Sequence, residues 1–342
     1  MRIRVSLLSL LIATINWSSS GAQVVSEHSL SARPLGELEL VHGPVPCDEQ
    51  SCYGIEVTCP EVSRPEQGWL KVGSPSAGPS KGTILITTGG PGTGLFDSFF
   101  HGQRVLNELR AAGFRTVQLQ WLGGWLFATP GQKEGHARLA CRPATAARWV
   151  YDNLHEGAST APFCATGHSG GAAQVSYMLS HYGLEDILSA VVPTGGPPMS
   201  RMDLSCAADD PAEESLSFPD WARRLIDSGF GFPSDGSGPC AQGDLSYGEM
   251  FREASVASGD GDYFYPRTLV WFLFEEEDNT HAAAMGATYH DLLVSQGSPM
   301  VRKDVIPEAN HGFPGTPEGA DKIRDILLSE CRLQGPPKSP TP

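Results

Sequence analysis

Two hydrophobic patterns recur along the chain, and each predicts a different element. Tyr53-Gly54-Ile55-Glu56-Val57-Thr58 and Gly68-Trp69-Leu70-Lys71-Val72 alternate apolar and polar residues, the two-residue period of a half-buried strand, and together predict an antiparallel edge hairpin. After a Gly-, Ser- and Pro-rich loop over 73–82, Thr83-Ile84-Leu85-Ile86-Thr87 is a short apolar run, as expected of a parallel strand covered on both faces. From there strand and helix patterns alternate. A helix near 99–112, a strand over 116–121, a helix near 144–155 and a strand over 161–166 lead to a small-residue helix opening at Gly170 and a strand over 188–193. A strand over 267–274, a helix near 280–294, a strand near 300–306 and an amphipathic helix over about 317–328 complete the pattern. This alternation predicts an α/β protein, a mostly parallel central sheet with helices on both faces.

Between the strands at 188–193 and 267–274 lie about 70 residues with no strong strand signal, too many for an ordinary connection. They hold Cys206, Cys240, Trp221, the acids Asp209, Asp210, Glu213 and Glu214, and a helical piece over 219–227. The segment from about 197 to 266 therefore reads as a cap inserted into one domain.

The termini and the composition set the compartment and the partners. Arg2 and Arg4 precede an apolar run from Val5 to Ile15 that ends at Ser20-Gly21-Ala22, the charge, apolar stretch and small residues of a secretory signal peptide over 1–22. The run is too short for a membrane span. This leaves a single domain over 23–334 and a Pro-rich tail over 335–342 expected to be disordered. All eight cysteines fall in the domain, and an even number in an exported chain predicts disulfides. Position favours Cys141 with Cys164, joining a helix to the strand before Gly167, and Cys206 with Cys240 inside the insertion. No CxxC pair or histidine cluster at zinc-finger spacing is present, so no metal and no cofactor is expected. The formal charge of −15 becomes −17 once Arg2 and Arg4 are removed, which argues against nucleic acid or an anionic membrane as partner.

Candidate chemistry centres on Gly167-His168-Ser169-Gly170-Gly171. The GxSxG spacing is a weak signal in a chain with 39 glycines, but here it lies between a strand and a helix pattern, where a strained turn exposes the serine. Ser169 is the candidate nucleophile. A serine hydroxyl needs a base and a group to orient that base. His311, in a loop beyond the last strand, is the best placed of ten histidines. His168 adjoins the nucleophile but points away from it at such a turn and is expected to pack or hydrogen-bond locally. His281 and His290 suit surface or capping roles. The orienting acid is expected after the 267–274 strand, where Glu275-Glu276-Glu277-Asp278 offers four carboxylates. Asp278 is preferred because a turn there aims a short side chain at the base; Glu277 ranks second, and Glu275 and Glu276 are expected to be solvated or capping. Acids at a helix start also complement its dipole. The amide of Gly170 and one from Thr88-Gly89-Gly90-Pro91-Gly92-Thr93-Gly94, with Gly90 ahead of Gly89 and Gly92, would form an oxyanion hole. That glycine loop lacks the GxxxxGK[ST] pattern of a phosphate cradle.

The order of glycine-rich loop, GxSxG turn, insertion, carboxylate and late histidine resembles the α/β-hydrolase superfamily over nearly the whole domain. Gly89-Gly90-Pro91-Gly92 is similar to the HGGPG loop of proline iminopeptidases, with Thr88 where those have histidine, a departure that counts against a peptidase. The resemblance implies the α/β-hydrolase fold with an inserted cap and a serine hydrolase forming an acyl-enzyme. The reading expected is an exported carboxylic-ester hydrolase acting on a small-molecule ester. The alternatives are an exopeptidase acting on short peptides, or a binding module that keeps the fold without the chemistry.

Overall fold

The apolar runs lie side by side in one twisted sheet. The computed structural model describes residues 32–334 apart from 158–159, 208–215 and 259. The expected signal peptide, the tail and the four acids of the insertion lie outside the described residues. The strands are β1 (Glu37–Cys47), β2 (Gln50–Thr58), β3 (Glu66–Gly73), β4 (Gly82–Thr87), β5 (Phe114–Trp121), β6 (Phe163–His168), β7 (Leu188–Thr194), β8 (Leu269–Glu277) and β9 (Val301–Asn310). Their order across the sheet is β1-β2-β3-β5-β4-β6-β7-β8-β9. The pairs β1/β2, β2/β3 and β3/β5 are antiparallel, and every pair from β5/β4 to β8/β9 is parallel. The helices are α1 (Gly102–Ala111), α2 (His136–Leu139), α3 (Cys141–Asn153), α4 (Gly170–Ser180), α5 (Met202–Ser205), α6 (Asp220–Gly229), α7 (Gly248–Glu253), α8 (Ala282–Ser295) and α9 (Pro317–Glu330).

Parallel strands need crossovers, and the helices that supply them cover both faces of the sheet. On one face Leu85, Val117, Ala165 and Val191 pack with Ala144 and Ala147 of α3, Val175 and Met178 of α4, and Met285 and Tyr289 of α8. On the other, Ile84, Ile86, Cys164 and Val192 pack with Val105 and Leu109 of α1 and with Ile323 and Leu327 of α9. All residues of the central strands β4 and β6 are buried, as strands covered on both faces require.

Two expectations are corrected. The β2–β3 hairpin is not at the edge, because β1 pairs outside it; β1 is exposed along nearly its whole length and so carries no alternation of buried and solvated positions to announce it. Cys141 does not join Cys164. The disulfides are Cys47–Cys52, Cys59–Cys141, Cys164–Cys331 and Cys206–Cys240, the last as expected. Side chains alternate across a strand, so Cys164 faces away from its neighbours Phe163 and Ala165. It belongs to the α1/α9 face, whereas Cys141 sits with α3 on the opposite one.

The segment between β7 and β8 contributes α5, α6 and α7 and no strand among the described residues. Asp227 of α6 is buried and accepts from the amides of Cys240 and Ala241 at 2.8 and 2.9 Å, which with Cys206–Cys240 fixes the helix within the insertion.

Candidate active site

Ser169 occupies the single residue between β6 and α4, with φ 56° and ψ −119°. A non-glycine residue there carries strain of about 1–3 kcal/mol and is held only where its surroundings dictate it. The glycines around it make the turn possible by close approach. A Cβ on Gly167 would lie 2.3 Å from both the Gly171 carbonyl oxygen and Thr87 Oγ1, and one on Gly171 would lie 2.7 Å from the Thr87 carbonyl oxygen. The Ser169 amide donates to the Thr194 carbonyl at 2.8 Å, tying the turn to β7.

The glycine-rich loop after β4 lies against this turn. A Cβ on Gly170 would stand 2.2 Å from the Gly90 oxygen and 2.8 Å from its nitrogen, so the two backbones touch. Gly90 has φ +57°. Gly170 is the first residue of α4, and its N–H is one of those that a helix start leaves without an intrahelical acceptor. The loop is pinned: Thr88 Oγ1 donates to the Gly94 carbonyl at 2.7 Å, and the amides of Trp121 and Trp125 donate to the carbonyls of Gly92 and Pro91 at 2.9 and 3.0 Å.

Ser169, Gly90, Gly170 and His311 line one cavity of about 130 Å³, walled by apolar residues that include Leu126, Met199, Phe218 and Trp221. His311 follows β9 directly, half-buried, and no hydrogen bond joins it to Ser169. The carboxylate against it is not Asp278 but Glu275, whose Oε1 lies 2.5 Å from His311 Nδ1. Glu275 is 4% exposed, and its Oε2 has no hydrogen-bond partner among the described residues. Asp278 caps α8 instead. Its Oδ1 accepts from the Thr280 amide and hydroxyl at 2.9 and 2.7 Å, and its Oδ2 accepts from the Ala283 amide at 2.7 Å.

The difference has a backbone cause. Strand β8 does not stop at Phe274 but runs to Glu277, with Glu275 paired to Ile306 of β9. The first acid of the run is therefore inside the sheet and the fourth is in the turn. Burial marks the first: Glu276 and Glu277 are exposed, and Glu276 accepts from the Glu308 amide at 2.9 Å. Glu275, Asp278 and His311 each bring a possible ligand atom within 4.8 Å of the others. Both oxygens of Asp278 are engaged by amide and hydroxyl donors and Glu275 Oε1 by His311, while Glu275 Oε2 has no hydrogen-bond partner among the described residues.

His168 packs as expected, but its partner is the candidate base. Its ring centroid is 4.7 Å from that of His311, and it also meets Phe99 and Phe313 edge-on. Nδ1 lies 3.2 Å from Thr194 Oγ1, which itself donates to the Gly167 carbonyl. Burial, with the neighbouring His311 charge as a smaller cause, pushes the His168 pKa down to about 3. At neutral pH His168 is an uncharged wall behind His311.

No protein-family model and no curated protein sequence matches this chain. Solved structures do. A brefeldin A esterase, described as a bacterial homologue of human hormone sensitive lipase, aligns with a TM-score of 0.54 and 15% identity over 86% of this chain and 80% of that one. An esterase from Pyrobaculum calidifontis aligns with a TM-score of 0.51 and 16% identity over 87% of each chain. The acylaminoacyl peptidase of Pyrococcus horikoshii aligns with a TM-score of 0.52 and 13% identity over 88% of this chain and 52% of that one.

Proposed function

We propose that this chain, which has the α/β-hydrolase fold, is an exported serine hydrolase of carboxylic esters. The observation that carries the reading is the strained Ser169 turn opening into the same cavity as His311, with His311 held from behind by the buried carboxylate of Glu275. Four disulfides fit an oxidising compartment.

In this mechanism Ser169 Oγ attacks the ester carbonyl carbon as His311 Nε2 takes the hydroxyl proton. The amides of Gly90 and Gly170 receive the oxyanion of the tetrahedral intermediate. Collapse of that intermediate breaks the bond to the leaving alkoxide, which takes the proton from His311 and leaves an acyl group on Ser169. Water then attacks the acyl-enzyme by the same route and releases the acid. Glu275 holds the Nδ1–H of His311 and stabilises the imidazolium that forms in each half. Asp278 takes no part in this mechanism, since both of its oxygens are held at the start of α8.

Ester is favoured over peptide by the walls of the cavity. Among the described residues that line it there is no carboxylate to hold a substrate's ammonium group. The Ser169→Ala variant is expected to lose hydrolysis of p-nitrophenyl acetate and labelling by a fluorophosphonate. A variant that is still labelled removes Ser169 from the mechanism, and faster turnover of alanine or proline p-nitroanilide than of the acetate replaces the esterase reading with an exopeptidase one.

A further inference from the structure

The cavity at Ser169 holds only part of an ester. At about 130 Å³ it is a little smaller than the roughly 150 Å³ cavity known to take one benzene, so it accepts a group of about six heavy atoms. Two of its wall residues, Trp221 and Leu225, also line a second cavity of about 990 Å³. They stand four residues apart on α6 and so lie side by side on one face of the helix. One ridge of two side chains thus separates the reactive chamber from the larger groove. Phe127, Ala128, Phe232 and Pro233 supply an apolar floor to the groove, whose polar members are Arg224, Ser228 and Ser234. Trp221 is 51% exposed, a large aromatic side chain left half-uncovered at the crest. The ridge is held in place: Arg223 Nε donates to the Phe218 carbonyl at 2.8 Å, and Asp227 is bonded to the amides beside Cys240.

We propose that the ester hydrolysed here has one compact side, seated in the chamber at Ser169, and one extended apolar side that crosses Trp221 and Leu225 into the groove. The inference rests on the reading of Ser169 as an acyl-transfer nucleophile. Continuity carries it: the groove shares a wall with the reacting centre, and the apolar side chains next to that wall suit a flexible hydrocarbon chain.

The test uses two ester series on the full mature chain. In one, methyl esters lengthen the acyl group from acetate to dodecanoate; in the other, acetates lengthen the alcohol from methyl to dodecyl. Each methylene buried is expected to raise kcat/KM by about threefold to fourfold, for several carbons in succession, in one series. The other series should peak near six heavy atoms and then fall. Whichever series rises assigns the acyl or the alcohol side to the groove. Phe232→Glu places a charge in the groove and is expected to lower the ratio of long-ester to short-ester kcat/KM at least tenfold. The labelling rates of the parent protein with short and long alkyl phosphonates give the same comparison should that variant not fold. Hydrolysis of acetate with no dependence on length in either series overturns the groove and leaves the Ser169 reading intact. An equal loss on short and long esters in Phe232→Glu also overturns it. Absence of both ester hydrolysis and phosphonate labelling sinks the Ser169 reading, and this inference with it.

Discussion

Glu275 and Asp278 stand three positions apart in the sequence and differ in their access to water. A buried carboxylate whose one hydrogen-bond partner is an imidazole is positioned to fix that ring's tautomer, whereas Asp278 spends both oxygens on the start of α8. Their substitutions should differ in kind. Glu275→Gln keeps the shape but presents the wrong hydrogen-bonding group to Nδ1, and is expected to lower kcat by about 10³ to 10⁴ with little change in KM. Asp278→Ala removes a helix cap and is expected to cost about 1 kcal/mol of stability, read from urea unfolding, with kcat close to that of the parent. The reverse pattern would restore Asp278 to the triad. In the sequence the four acids look alike, because what separates them is where β8 ends, and that is set by its pairing with β9. The placement of Ser169 in the turn after β6 and of His311 just after β9 was legible because glycine spacing and a position after the last strand pattern are local properties.

At the scale of elements, the strand that ends at Ser169 is tied to the last helix. Cys164 of β6 and Cys331 at the end of α9 close a loop of 167 residues, whereas Cys47 and Cys52 close one of five across the β1–β2 turn. Chain entropy makes the longer closure worth about 5 kcal/mol and the shorter about 2 kcal/mol. Replacing both Cys164 and Cys331 by alanine is therefore expected to lower the unfolding free energy clearly more than the Cys47, Cys52 pair does. Cys164 is fully buried, so the cavity it leaves adds in the same direction. Equal losses in the two double variants would mean that native contacts, not loop closure, set the contribution. The longer helices α1, α3, α4, α6, α8 and α9 and the central strands were legible in the sequence, whereas the short helices α2, α5 and α7 were not. The strand β1 was not, since neither of its faces is buried, and the α9 tether was not, since the face on which Cys164 emerges depends on strand phase.

The whole molecule carries a response to acid that no single element explains. His136, His168 and His181 are buried in three different places, and burial pushes each pKa from 6.5 to about 3. The native protein therefore keeps them neutral where the unfolded chain protonates them. A depressed native pKa means that stability is fully present above pH 6.5 and is lost as pH falls toward 3. Between pH 7 and pH 5 each histidine accounts for about 2 kcal/mol, and the three together for up to about 6 kcal/mol, comparable with the whole stability of an ordinary domain. Glu185 and Asp227, raised by burial, act in the opposite sense: each takes up its proton in the native protein before the unfolded chain does, and so offsets part of the histidine loss as pH falls. His136 offers the cleanest test. Neither of its ring nitrogens has a hydrogen-bond partner among the described residues, and the ring packs edge-on to Trp125 and Phe230. His136→Leu thus removes a titrating group from an apolar site without breaking a hydrogen bond. Urea unfolding of this variant at pH 7 and pH 5 should show the pH-dependent loss reduced by about 2 kcal/mol relative to the parent. An unchanged difference would mean that His136 gains no proton on unfolding, and that the acid response is carried by His168 beside His311 and by His181 at the C-terminal end of α4.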